Sequence, residues 1–133
     1  MGNRTVLIID DEMDVRTMLD KSLTAKGYSV ITAYNGNRGL VLAKSQQPDL
    51  IILDRVLGDM LGEEVAANLR KDSRTTDIPI LYISALFSKT DEIEKKRLFG
   101  GYPMLAKPYD IDELADMIEK AIGKPSLSGI CGL

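Results

Sequence analysis

Apolar residues in this chain alternate between short unbroken runs and longer stretches with helical spacing. Thr5 to Ile9 is β-branched and apolar, the composition of a strand buried on both faces. From Met13 onward Val15, Met18, Leu19 and Leu23 recur at helical spacing, and Gly27 supplies a stop. Tyr28 to Tyr34 returns to β-rich residues before Asn35-Gly36 turns the chain. A second helix over about residues 38–45 is closed by Pro48, and "LIIL", residues 50–53, is another short apolar run that ends in Asp54. Met60, Leu61, Val65, Ala66 and Leu69 mark a third helix, and "IPILYIS", residues 78–84, a fourth strand. Residues 90–99 predict a polar fourth helix with Ile93 and Leu98 facing inward. "MLA", residues 104–106, predicts a weak fifth strand ahead of Lys107-Pro108, with the glycine-rich "FGGYP" (99–103) blurring its register. Asp110 with Glu113 three residues later resembles a capping box for a last helix over 111–122.

Five strands alternating with five helices predict an α/β domain whose parallel sheet is covered on both faces. In such sheets ligands bind outside the carboxyl ends of the strands. Asp10 and Asp11 follow strand one, Asp54 follows strand three, Ser84 closes strand four and Lys107 closes strand five. All of these polar residues therefore fall on one edge. Residues 1–122 read as a single domain and 123–133 as a flexible tail of turn composition.

Composition narrows the chemistry. A chain of 133 residues suits one core, and 44% hydrophobic with 28% charged residues is ordinary for a soluble protein. The net charge of -3 gives no case for direct nucleic-acid binding. No apolar run approaches a bilayer span and no secretory signal is legible, so a cytoplasmic location is expected. A single cysteine, Cys131, excludes an internal disulfide or a CxxC pair. The chain has no histidine, which excludes Ser-His-Asp, Cys-His and His-zinc sites. Carboxylates, hydroxyls and amines remain.

Asp10, Asp11 and Glu12 are consecutive at a strand tip. Carboxylates about 4 Å apart repel by roughly 4 kcal/mol per pair at an effective dielectric of 20. A divalent cation or shared protons make that tolerable. Mg²⁺ prefers such hard oxygen ligands and is commonly bound by one or two carboxylates plus a phosphate. Lys107 adds an ammonium and Ser84 a hydroxyl, and together these groups describe a phosphoryl-binding site in which an Asp can be the nucleophile. Taken singly, Asp10-Asp11 reads as a helix cap, Asp54 as a turn residue, and Lys107 and Ser84 as ordinary surface groups. Their joint placement favours the site.

"IIDDE" (8–12), "LIILD" (50–54), "ISA" (83–85) and "KP" (107–108), in this order and spacing, resemble the receiver domain of two-component response regulators over about residues 4–122. The resemblance implies a flavodoxin-like (βα)5 doubly wound sheet of strand order 2-1-3-4-5. It implies that Asp54 accepts a phosphoryl group from a phosphohistidine on a histidine kinase or histidine phosphotransfer protein. It further implies Mg²⁺ held by Asp11, Asp54 and the Val56 backbone carbonyl, with Asp10 assisting. Ser84 and Lys107 would contact the phosphoryl oxygens, and Lys107-Pro108 would be a cis peptide. Phosphorylation would then bias a partner-reading face built from the fourth helix, fifth strand and fifth helix. The output partner is unspecified, and homodimerisation is possible.

The chain departs from the family pattern in three places. Gly58 stands where proline is usual, which predicts a more flexible loop after Asp54. Met104 stands where the switching aromatic is usual, and neither Tyr102 nor Tyr109 aligns with it. Val56 and Leu86, which would flank the path of a hydrolytic water, are apolar, predicting at most slow self-dephosphorylation. A pseudo-receiver that docks partners without being phosphorylated is the alternative. A phosphohydrolase with an Asp nucleophile is disfavoured because its second Asp would fall at Val56. The remaining features read as filler: Met13, Met18, Met60 and Met117 as core or half-exposed, and "EIEKKR" (92–97) as a solvated helix face.

Overall fold

The computed structural model describes residues 4–87, 90 and 98–123. Strand β1 (Thr5–Ile9) leads into α1 (Met13–Ala25), β2 (Ser29–Ala33) into α2 (Gly36–Gln46), and β3 (Leu50–Asp54) into α3 (Gly62–Lys71). They are followed by β4 (Ile80–Ser84), β5 (Leu98–Phe99), β6 (Tyr102–Ala106) and α4 (Ile111–Ile122). The strands form one sheet in the order β2-β1-β3-β4-β6-β5. Its first five members are parallel, with Ile9 opposite Leu53, Asp54 opposite Ile83 and Ser84 opposite Ala106. This is the doubly wound, flavodoxin-like arrangement expected, with the strand named fifth above now β6.

The strands are apolar throughout because each face is covered. Val6, Ile8, Leu50, Ile52, Leu81 and Ile83 point to α1 and α4, meeting Leu19, Leu23, Leu114 and Ile118. Their neighbours Leu7, Ile9, Ile51, Leu53 and Tyr82 point to the α2 and α3 side, meeting Ala43, Val65 and Leu69. Alternation at period two thus sends one strand's residues into two separate cores. Each fully buried Leu or Ile contributes roughly 1.5–3 kcal/mol relative to exposure.

Two expectations are corrected. Leu98–Phe99 is not the end of a helix but a two-residue strand antiparallel to Tyr102–Pro103. Gly100 and Gly101 both take positive φ, which suits a tight hairpin turn with the sheet's twist and is closed to most other residues. Leu98 faces solvent instead of the core. Residues 91–97 of the expected helix, including Ile93 and the "EIEKKR" run, lie outside the described residues, as does the tail beyond Gly123. The second correction concerns Met13, which is 66% exposed and fills no core. Among the described residues, no helix is long and apolar enough to cross a membrane.

Candidate functional site

At the carboxyl ends of β1, β3, β4 and β6 an open cleft of about 320 Å³ is lined by Asp11, Glu12, Asp54, Ser84 and Lys107, with Val56 and Leu86 at its lip. Parallel register explains the convergence. Asp54 ends β3 and Ser84 ends β4, and the Lys107 N–H donates to the Ser84 carbonyl at 3.1 Å, so the lysine leaves β6 beside them. The Lys107-Pro108 peptide is cis. Gly62 brings α3 close to the same rim, since a Cβ there would lie 2.6 Å from the Asp54 carbonyl oxygen.

Lys107 is the hub. Its Nζ donates to Asp10 Oδ2 at 3.0 Å, to Asp54 Oδ2 at 3.2 Å and to Glu12 Oε1 at 3.3 Å. Asp10 is fully buried, with Oδ1 accepting the Glu12 N–H at 2.9 Å. Burial drives the Asp10 carboxyl up to about 6; the Glu12 N–H and Lys107 oppose the rise and the Asp54 charge adds to it. Burial alone would pull the Lys107 ammonium down, but Asp10 and Asp54 outweigh it and hold the group well above its usual value. The lysine therefore stays charged.

Asp10, Asp11, Glu12 and Asp54 each offer a carboxylate oxygen, and these oxygens lie within 4.8 Å of one another. Four hard oxygen donors with only one ammonium among them suit a divalent cation of the Mg²⁺ class. Val56 lines the cleft and its N–H donates to Asp54 Oδ1 at 3.3 Å. Ser84 is buried, and its Oγ accepts the Leu86 N–H at 3.1 Å, which leaves the hydroxyl hydrogen available to an incoming oxygen.

Met104 is not at the rim. It is fully buried opposite Tyr82 in the core beneath α2 and α3. Tyr102 is fixed elsewhere, its hydroxyl accepting from Arg70 Nε at 2.9 Å. Tyr109 reaches toward the site from the other side. Its hydroxyl is buried without a hydrogen-bond partner among the described residues, and burial pushes it up to about 12, with Lys107 opposing and the Asp10 and Asp54 charges adding.

Two contributors were not assigned roles from sequence. Glu12 was visible only as the third acid of the run. Arg16 gave no signal, yet it secures the β1 tip by donating from Nη1 to the Asp10 carbonyl at 2.8 Å.

The response regulator receiver domain family model matches residues 6–119. Among curated proteins, the chain is 39% identical to the "DNA-binding dual master transcriptional regulator RpaA" of Synechocystis, over 82% of this chain and 45% of that protein. It is 30% identical to "Sporulation initiation phosphotransferase F" of Bacillus subtilis, over 90% of this chain and 94% of that one. The chain spans about half the length of the transcriptional regulators it matches. Among solved structures it is similar to a putative response regulator from Chloroflexus aurantiacus, with TM-score 0.79, 28% identity, and 93% and 100% of the two chains covered. It is also similar to the chemotaxis protein CheY4 of Vibrio cholerae, with TM-score 0.76, 30% identity, and 91% and 98% covered.

Proposed function

The chain belongs to the response regulator receiver domain family, and from that membership and the geometry of its acidic rim we propose that Asp54 is a phosphoacceptor in two-component signalling. The donor is a phosphohistidine on a histidine kinase or a histidine phosphotransfer protein, which fits a chain that has no histidine of its own. The observation that carries this reading is the contact of Asp54 with Lys107 inside a group of four acids at the open end of the sheet.

In the transfer, an Asp54 carboxylate oxygen forms the O–P bond as the donor's N–P bond breaks, and the electron pair leaves with the imidazole. Lys107 stabilises charge on the phosphoryl oxygens, and its ammonium is preorganised because buried carboxylates already hold it. Ser84 turns its hydroxyl hydrogen to a phosphoryl oxygen. Asp11, Asp54 and the Val56 carbonyl, with Asp10 assisting, would hold a Mg²⁺ ion, which would supply charge that neutralises the acids and the phosphoryl oxygens. The turn after Ser84 leads to Phe87, which is buried against Phe99, so movement of the hydroxyl reaches the surface that partners read through that packing. That surface changes without the usual aromatic rotation, because Met104 occupies the aromatic's position.

Docking without phosphorylation is the competing reading, and Met104 is the observation in its favour. The two separate on one experiment. The protein is incubated with Mg²⁺ and acetyl phosphate, with and without EDTA, beside Asp54→Asn, and intact mass is measured. One phosphoryl adduct, lost in EDTA and in the variant, supports the phosphoacceptor. No adduct in the unaltered protein sinks it. Multiple turnover of phosphate at enzyme-like rates would instead indicate a hydrolase.

A further inference from the structure

An ammonium group has three hydrogens to donate, and Lys107 has spent all three. One goes to Asp10, one to Asp54 and one to Glu12. A phosphoryl group on Asp54 inherits the hydrogen that carboxylate held and, bringing a further negative charge, competes for a second, so another carboxylate has to give way.

The three carboxylates differ in what release would cost. The Asp10 side chain is fully buried, and losing Lys107 would strand an unpaired charge away from water, whereas Asp54 passes its own charge to the phosphoryl group it carries. The Glu12 side chain is 62% exposed and returns to solvent on release. Glu12 is also free of other duties. It occupies the N-cap position of α1, yet its side chain makes no capping hydrogen bond. Its backbone is committed on both sides, the N–H to Asp10 Oδ1 and the carbonyl accepting the Arg16 N–H at 3.1 Å. The backbone thus fixes where the side chain starts, and among the described residues that side chain pairs with Lys107 alone.

Resting on the phosphoacceptor reading, we infer that Glu12 is a placeholder anion, holding the Lys107 hydrogen that a phosphoryl oxygen on Asp54 takes and thereby setting how tightly the rim retains that group. Glu12 acts in two opposite directions. Its negative charge lies with the other acids and favours the divalent cation, while it competes with the phosphoryl group for Lys107 and repels it. A surface ion pair of merely local consequence would do neither.

The test uses Mg²⁺ and beryllofluoride, a non-covalent mimic of the phosphoryl group, on the whole chain. Calorimetric affinities are measured for Mg²⁺ alone and for beryllofluoride at saturating Mg²⁺, in the unaltered protein, Glu12→Gln, Glu12→Ala and Asp54→Asn, with folding checked by circular dichroism. Removing one partly screened charge should tighten beryllofluoride about threefold to tenfold and weaken Mg²⁺ alone by a smaller factor. The gain should shrink as salt is raised. A variant that merely loosened the site would weaken both. Beryllofluoride binding that is unchanged or weaker in both Glu12 variants overturns the inference. Absence of any Asp54-dependent beryllofluoride binding in the unaltered protein takes down the phosphoacceptor reading as well.

Discussion

Asp59 bridges the loop after the acceptor strand to the start of α2, its Oδ1 accepting the Gly36 N–H at 2.8 Å and its Oδ2 the Asn37 N–H at 2.9 Å. Two donors that the helix itself cannot satisfy are thereby capped from a distant loop. Desolvation works against the ionised carboxylate, but the Asn37 and Gly36 N–H groups outweigh it and hold Asp59 below the usual range. The loop expected to be loose at Gly58 is therefore anchored beside that glycine. The Leu57 N–H donates to the Met60 carbonyl at 3.2 Å, and Leu57 is buried.

Asp59→Ala should cost about 1 kcal/mol, the usual worth of a lost N-terminal cap. Gly58→Ala should be neutral or stabilising by roughly 0.4–1 kcal/mol, because a Cβ there meets open space and φ is not positive. Urea midpoints at constant m-value check both. A larger loss at Gly58 than at Asp59 would refute this account of the loop.

The buried Asp10 carboxyl makes a pH-dependent difference. Its folded value, about 6, lies above its ordinary 3.8, so the folded state binds the proton more tightly than the unfolded chain does. The sign follows: Asp10 favours folding at low pH, and that favour is lost as pH rises through the window from about 4 to about 6. Without added metal, the stability advantage of Asp10→Asn over the unaltered protein should therefore grow by on the order of 3 kcal/mol between pH 3.5 and pH 7.5. Denaturation at both pH values measures it, and a constant difference would be the contrary result. The same substitution should weaken Mg²⁺ binding at neutral pH.

Arg70 organises the end of the sheet opposite the cleft. Besides Tyr102, it donates to the carbonyls of Thr75 at 3.1 Å, Thr76 at 2.8 Å and Ile78 at 2.8 Å. Arg70→Ala should cost about 2–4 kcal/mol by leaving those partly buried acceptors unpaired. Arg70→Lys should recover little, because one ammonium cannot reproduce a planar fork. Full recovery by lysine in a thermal melt would contradict the role assigned to the fork.

Val56 and Leu86 line the acidic cleft, and both are exposed at its lip. Neither can position a water against a phosphoryl group on Asp54. Val56→Asn should shorten the lifetime of the phosphorylated protein, by about tenfold if one hydrogen bond worth 1.4 kcal/mol is gained in the transition state. The phosphoryl half-life in purified, Mg²⁺-loaded protein reads this directly. A half-life of seconds before any substitution would refute the slow self-dephosphorylation expected of the apolar pair.

Local sequence by itself determined the parallel strands, the helices that separate them and the edge on which the polar residues fall. Each follows from interactions within a few residues: β-branched runs buried on both faces, helical spacing, caps, and acids placed just past a strand's end. Tertiary structure alone decided the β5–β6 hairpin, since Gly100 and Gly101 can serve a loop or a turn until β4 offers an edge to pair with. It also decided that Met13 is exposed, that Asp59 caps a helix 22 residues away and that Arg70 gathers four acceptors from neighbouring segments. Above all it decided that Glu12 shares Lys107 with Asp10 and Asp54. Those contacts join residues up to 97 positions apart, and their geometry comes from strand register and burial, which no local pattern encodes.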